Sequence, residues 1–383
     1  MLPLHKRITL NANNPNHKHV TLLERFHIDG YLLVLLTILA IANLFILYSA
    51  SGKDMDLVNR QGTFFIMGGV AMIMIAQFDP RFMARWVLIP YIIGIILLII
   101  VDINGHNAMG AQRWLKIPGL IRFQPSEFMK IVVPATIAWY ISRHSLPASF
   151  KHVVIAFILT IVPFLLVLKQ PDLGTSLLIL TAGAFVIYMA GLRWSWVISA
   201  ILAIIPIAYG MWHFVMHDYQ KHRVLTFINP ESDPLGKGWN IIQSKAAIGS
   251  GGFWGKGWLE GTQSHLDFLP ESHTDFVFAL IGEEFGLVGV TLLLTIYLLI
   301  ITRCLIITAN AQTLFGKLLA GGLSMTFFVY VFVNIGMVSG LLPVVGVPLP
   351  FMSYGGTSAI TLLSSFGILM AIQTHRNWTT SIR

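Results

Sequence analysis

The stretch 266–279, LDFLPESHTDFVFA, sets one acid, Asp275, where a long polar segment runs into an apolar one, 276–301, long enough to cross a bilayer. A carboxylate at a membrane boundary is costly to place, so a functional site is the first hypothesis for it. The competing reading is a helix cap, the ordinary role of Asp before an apolar run, with His273 and Thr274 sharing that work. Glu127 and Lys130 stand three residues apart in QPSEFMK. On a helix they share a face, and such a pair inside an apolar segment must look toward other helices or a wet cavity. Asp172 follows Gln170-Pro171 as Ser126 follows Gln124-Pro125, the ordinary pattern of caps around a first-turn proline. Helix N-termini present unpaired N–H groups and a positive dipole end. If several converge with Arg60, Arg113 and Lys130 nearby, the product is a pocket for an anion the size of pyrophosphate.

The elements that must position these groups are membrane helices. Hydrophobic residues make up 55% of the 383 and charged residues 11%, with a mean hydropathy of +0.74. That is too apolar and too weakly charged for a soluble domain of this length. A spanning helix needs about 20 mostly apolar residues. Ten segments qualify, near 30–49, 61–78, 84–102, 126–142, 152–168, 172–190, 195–215, 276–301, 315–340 and 353–372. The expected fold is therefore an all-α polytopic membrane protein of about ten transmembrane helices. Its parts are a polar tail at 1–27, a single transmembrane domain at 28–375 and a short tail at 376–383. The apolar run after the first tail spans about a full bilayer and reads as an uncleaved first helix. The single cysteine, Cys304, excludes an internal disulfide and a cysteine-based metal site.

Orientation follows from Lys and Arg in the loops. Thirteen basic residues fall on the side of the N-terminal tail and twelve on the other, and five of those twelve lie in the long loop 216–275, which is largely exempt from the rule. Both termini are then cytoplasmic and the long loop, between helices 7 and 8, faces outward. In this topology every even-numbered helix begins at the outer surface with polar or unusual residues: Asn59-Arg60-Gln61, Gln124-Pro125-Ser126-Glu127, Gln170-Pro171-Asp172, His273-Thr274-Asp275, and Ser353-Tyr354-Gly355-Gly356. The long loop also holds GSGGFWGKGW at 249–258. This run lacks the spacing of a nucleotide-binding loop and reads as a re-entrant or interfacial element. No repeat of 20–50 residues is present, which excludes solenoids and arrays.

From Asn334 to Ser358 the chain reads NIGMVSGLLPVVGVPLPFMSYGGTS, and GAQRW (110–114), QPSEFMK (124–130), QPDLGT (170–175), QSKAAIGSGG (243–252) and LPESHTDF (269–276) stand elsewhere. This set resembles the SEDS (shape, elongation, division and sporulation) family over nearly the whole chain, outside 1–27, and is most similar to its elongation branch. The resemblance implies a peptidoglycan glycosyltransferase of the bacterial cytoplasmic membrane, with ten helices, polymerising lipid II on the outer face for cell elongation and rod shape. It implies that Asp275 is the essential catalytic residue and that Glu127, Lys130 and Asp172 line a central cavity. It further implies a class B penicillin-binding protein transpeptidase as partner, alongside other elongation-complex membrane proteins; no nucleic acid is expected.

On that reading Asp275 is the general base on the acceptor sugar's 4-hydroxyl. Arg60, Arg113, Lys130 and Lys245 are candidates to stabilise the polyprenyl pyrophosphate leaving group. Glu127 and Asp172 orient these cations, or hold a divalent ion, Mg or Mn, with the pyrophosphate; no other cofactor is called for. The turn with Ser353, Gly355 and Gly356 either binds the same anion or allows close helix packing. The alternatives are a lipid II transporter, a catalytically silent scaffold and a division-type paralogue.

Overall fold

A computed structural model describes residues 25–108, 111–115, 123–192, 194–215, 221, 225, 237–262 and 273–375. Lys116, Arg122, Arg193, Arg223, Glu271, most of the N-terminal tail and the segment 376–383 lie outside the described residues. The helices are α1 Gly30–Ala50, α2 Met55–Ala76, α3 Pro80–Trp86, α4 Leu88–Asn104, α5 Pro125–Ser142, α6 Phe150–Lys169, α7 Leu173–Met189, α8 Trp194–Gly210, α9 Lys237–Ser250, α10 Val277–Asn310, α11 Leu314–Val338 and α12 Gly356–Thr374. A π-helical turn, Met211–Val215, continues α8, and a hairpin of β1 His106–Ala108 and β2 Ala111–Trp114 stands between α4 and α5. The all-helical expectation thus holds apart from one small antiparallel pair.

Each expected apolar segment coincides with helix, with informative differences. Among the described residues six helices are long and apolar enough to cross a membrane, and the pair α3 and α4, bent by 52°, passes the same test only when taken together. The second segment begins six residues early, at Met55, because Asp54 caps it by accepting from the Asp56 N–H at 2.8 Å. The polar loop 216–275 is not irregular throughout, since it contains α9.

The interior is set by α5, α7, α11 and α12. Most of α5 is buried, including its charged first turns, whereas α4 turns Ile92, Ile96, Ile99 and Ile103 outward. That face suits hydrocarbon, where isoleucine gains nothing by turning inward. Small residues let α2 and α12 approach closely. A Cβ on Gly68 would lie 2.6 Å from Leu363 Cδ1, and one on Gly367 would lie 2.5 Å from the Met72 carbonyl.

The apolar segment expected at 276–301 is longer and broken. α10 has 34 residues, about 51 Å at 1.5 Å per residue, against a hydrocarbon core of about 30 Å. Gly286 interrupts it with φ +61° and ψ −158°. The break strands backbone groups, which inside a membrane protein must find partners. The glycine-rich run supplies them. Lys256 N–H donates to Glu283 O and Gly257 N–H to Glu284 O, both at 3.0 Å. In return Leu287 N–H donates to Gly252 O at 3.0 Å and Val288 N–H to Phe253 O at 3.2 Å. Lys256 Nζ also pairs with the buried Glu283 carboxylate at 2.7 Å. Trp258 fastens the far side of the run to α1, stacking on Phe45 with ring centroids 4.1 Å apart. The run is therefore a splint across a broken helix.

Candidate functional site

The segment before α10 is held by its backbone. Three successive carbonyls each accept a hydrogen bond from the stretch 334–354. Tyr354 N–H donates to His273 O at 2.8 Å, Ser353 Oγ to Thr274 O at 2.5 Å, and Asn334 Nδ2 to Asp275 O at 2.9 Å. Asn334 Nδ2 donates equally to Val347 O at 2.8 Å, and Ser353 Oγ accepts from Leu349 N–H at 2.7 Å. Asp275, half-buried, directs Oδ2 to within 3.5 Å of where a Cβ on Gly346 would stand. The N-cap of α10 is Phe276, with no side-chain capping bond, one residue after Asp275.

Gly346 belongs to a loop that also closes on α7. A Cβ on Gly174 would lie 2.6 Å from Val345 O, so α7 begins directly against the loop beside Asp275. Asp172 caps that helix, accepting from Thr175 N–H at 3.2 Å. Its other oxygen accepts from Gln124 Nε2 at 2.9 Å, which ties the start of α7 to the start of α5. Arg113, on β2, completes the corner. Its Nε donates to Gln170 O at 3.2 Å, a second nitrogen donates to Pro171 O, and Nη1 stands 3.9 Å from Asp172. Asp172 is thus both a cap and part of the charged cluster, while Ser126 caps nothing, since α5 begins after Gln124.

Glu127 and Lys130 pair as their spacing predicts, Nζ to Oε1 at 2.5 Å, both almost fully buried. Lys130 also donates to the Tyr330 hydroxyl of α11 and lies 4.8 Å from that ring's centroid. Tyr330 and Asn334 are four residues apart on one helix, about one turn or 6 Å. α11 therefore touches the buried cation with one residue and the Asp275 segment with the next. A crevice lined by Lys130, Thr326, Tyr330, Thr361 and Ser365 opens between α5, α11 and α12. Glu127 Oε2 and Ser126 Oγ are buried with no hydrogen-bond partner among the described residues. Such groups are costly unless a ligand or water meets them.

The start of α12 joins the same end. It begins at Gly356, three residues later than the expected start at Ser353, and its N-cap, Gly355, brings no side-chain capping bond. Gly355 N–H donates to Gln61 Oε1 of α2 at 3.3 Å. The five helix starts singled out in the sequence are thereby joined, α10 to α7 through the loop 345–347 and the others by hydrogen bonds.

Not every expected residue is gathered. Arg60 is exposed, and no described contact joins it to the charged cluster. Lys245 is exposed on α9 and lies across Gly340, where a Cβ would stand 2.6 Å from Nζ. Tyr330, Asn334, Gln124 and Gln61 were missed as site residues. Their signal in the sequence was polarity inside or just before an apolar run, which implies an inward face. Among the described residues, no group of three His, Cys, Asp or Glu could hold a metal ion.

Comparison with known proteins agrees with this architecture. Residues 28–378 match the model of the FtsW/RodA/SpoVE family of cell cycle proteins. The peptidoglycan glycosyltransferase MrdB of Escherichia coli K12 is 52% identical over 365 residues, covering 95% of this chain and 98% of that protein. MrdB of Helicobacter pylori is 40% identical over 321 residues, 81% of each chain. Among solved structures, a chain from work on "Structural coordination of polymerization and crosslinking by a peptidoglycan synthase complex" superimposes with a TM-score of 0.81 at 27% identity, covering 91% of this chain and 99% of that one. The rod shape determining protein RodA of Thermus thermophilus superimposes with a TM-score of 0.68 at 25% identity, covering 91% and 98%.

Proposed function

The chain belongs to the FtsW/RodA/SpoVE family and is a peptidoglycan glycosyltransferase of the RodA type in the inner membrane, and from that premise we propose that it polymerises lipid II with Asp275 as the general base. The observation that carries the reading is the clamp on the carbonyls of His273, Thr274 and Asp275. It fixes a half-buried carboxylate where five helix starts meet. Preorganisation of this kind is what general-base catalysis needs, because a misplaced base loses most of its effect.

In the reaction, the acceptor's 4-hydroxyl attacks the donor's anomeric carbon. Asp275 takes the hydroxyl proton as the new C–O bond forms, and the bond from the anomeric carbon to the pyrophosphate oxygen breaks. Polyprenyl pyrophosphate leaves with that electron pair. Proton removal by a positioned carboxylate contributes typically about 10²–10⁴-fold. The leaving group's charge is met by Arg113, part-exposed beside the start of α7, and by uncapped helix N-termini such as that of α12. Lys130 is almost fully buried against Glu127 and Tyr330, so it sets the field of the cavity, whereas the part-exposed Arg113 can reach the leaving group. Lys245 and Arg60 contact the lipid headgroup from its rim.

The remaining assignments follow the same premise. The ten apolar segments span the membrane with both termini in the cytoplasm, and the end bearing Asp275 faces outward, level with the headgroup of lipid II. A class B penicillin-binding protein is the expected partner, supported by the likeness to a chain from a peptidoglycan synthase complex. A divalent cation is compatible with the buried Glu127 Oε2.

The test is reconstitution of the purified chain with lipid II in liposomes, with and without the transpeptidase, against Asp275→Asn. Glycan polymer from the wild type and none from the variant is the expected result. Normal polymerisation by Asp275→Asn sinks the mechanism, and lipid II flipping without polymer points to a transporter instead.

A further inference from the structure

Gln61 lies in the second turn of α2, is fully buried, and has no role in the reaction as described so far. The orientation of its amide is fixed by its neighbour. Gly355 N–H is a donor and meets Oε1 at 3.3 Å, so the other end of the amide is the NH₂ group. Nε2 is buried and has no hydrogen-bond partner among the described residues. A buried donor left unpaired is strongly unfavourable, and each one in a folded protein calls for an acceptor that the protein itself does not provide.

The surroundings specify what kind of acceptor. The amide meets the N-cap residue, Gly355, of a 19-residue helix that no side chain caps. Unpaired N–H groups and the positive end of the dipole at such a terminus favour an anionic oxygen. A Cβ on Gly356 would lie 2.5 Å from the Phe64 ring one turn further along α2, so any larger residue would have to displace that ring. Glycine thus lets the helix start close against Gln61, while Tyr354 and Ser353, immediately before it, bind the carbonyls beside Asp275.

We propose that Gln61 Nε2 and the uncapped start of α12 form a subsite for an oxygen of a polyprenyl-borne diphosphate, making Gln61 a substrate-binding residue. The proposal rests on the glycosyltransferase reading and deepens it. The diphosphate belongs either to the lipid-linked sugar donor or to the polyprenyl diphosphate that departs, and the chemistry of recognition is the same for both.

Binding can be measured apart from turnover. The full chain in detergent is titrated with undecaprenyl diphosphate and with undecaprenyl monophosphate, for wild type, Gln61→Leu and the near-isosteric Gln61→Glu, while lipid II kinetics and melting temperature are followed in parallel. Loss of one hydrogen bond to a charged group predicts a Kd for the diphosphate weaker by about tenfold or more in Gln61→Leu. Gln61→Glu should be weaker still, through charge repulsion. The monophosphate should move less. A parallel rise in KM for lipid II, with kcat within about twofold, assigns the subsite to the donor; a change in the diphosphate Kd alone assigns it to the product. Unchanged diphosphate binding in both variants overturns the proposal, as does weakening that appears only with a collapse in melting temperature. Polymer from the wild type and none from Asp275→Asn upholds the parent reading whichever way Gln61 turns out.

Discussion

Replacing Gly286 by alanine perturbs the break in α10 at its narrowest point. At φ +61° and ψ −158° the residue sits in a region that is essentially glycine's own, and strain for another residue there is about 1–3 kcal/mol. The new Cβ would also stand 2.3 Å from Gly255 N, 2.8 Å from Phe253 O and 2.9 Å from Gly252 O. These are backbone atoms, so the splint must withdraw as a whole. Withdrawal breaks the four backbone hydrogen bonds made across the break, at about 0.5–1.5 kcal/mol each. The sum is roughly 5 kcal/mol, comparable to the whole stability of many folded domains. It also frees the segment of α10 that carries Asp275 at its head, eleven residues before the break. The expected result in detergent is a large fall in melting temperature together with loss of lipid II polymerisation. Gly249→Ala is the matched control. It lies inside α9, a Cβ there meets nothing within 4 Å, and alanine should be neutral or stabilising by about 0.5–1 kcal/mol. A Gly286→Ala protein that melts and polymerises like wild type refutes the splint.

Two further perturbations follow from the charged groups. Lys130→Ala leaves the Glu127 carboxylate buried without its cation, which costs about 3–5 kcal/mol; melting temperature and polymerisation should both fall, whereas Lys130→Met with Glu127→Gln should recover melting but not activity. If the double variant melts no better than the single one, the pair is not the stabilising unit. His27, before α1, stacks on His375 with ring centroids 4.0 Å apart, and burial, then the charge of His375, lowers its pKa below 6.5. The neutral form is therefore the one the fold prefers, so its contribution is present above pH 6.5 and is lost as pH falls through the lowered value. Melting temperature should drop between pH 8 and 5.5 in the wild type and drop less in His27→Phe; equal slopes would remove His27 as the cause.

The charged part of the site was legible because its signals are local. Three-residue spacing is enough to predict the Glu127–Lys130 pair, and an acid just before an apolar run is enough to single out Asp275 and Asp172. Contacts between distant segments left weaker traces. Tyr330 and Asn334 read as tolerable polar residues within α11, and nothing nearby in the chain names Lys130 or Asp275 as their partners. The glycine-rich run announced a need for unusual backbone, but its partner, the break at Gly286, lies inside a segment read as one apolar span, where the only local trace is the pair of buried acids Glu283 and Glu284 just before it. Arg60 was chosen for its charge. One residue on, the helical rotation carries Gln61 inward and leaves Arg60 exposed.

That rotation bears on how such a site is built in a membrane. A cation gains most where it can reach water, and long basic side chains at helix ends snorkel toward it. An amide carries no charge and can be buried if its partners are supplied. The interior of this site accordingly uses Asn334, Gln61, Gln124, Tyr330 and backbone N–H groups, with Lys130 as a buried cation neutralised by Glu127. Arg113 is part-exposed, and Arg60 and Lys245 are exposed. An interior of neutral donors suits a diphosphate that must bind and then leave as product. Fixed dipoles stabilise charge as it develops without holding the leaving group as tightly as a dry ion pair would.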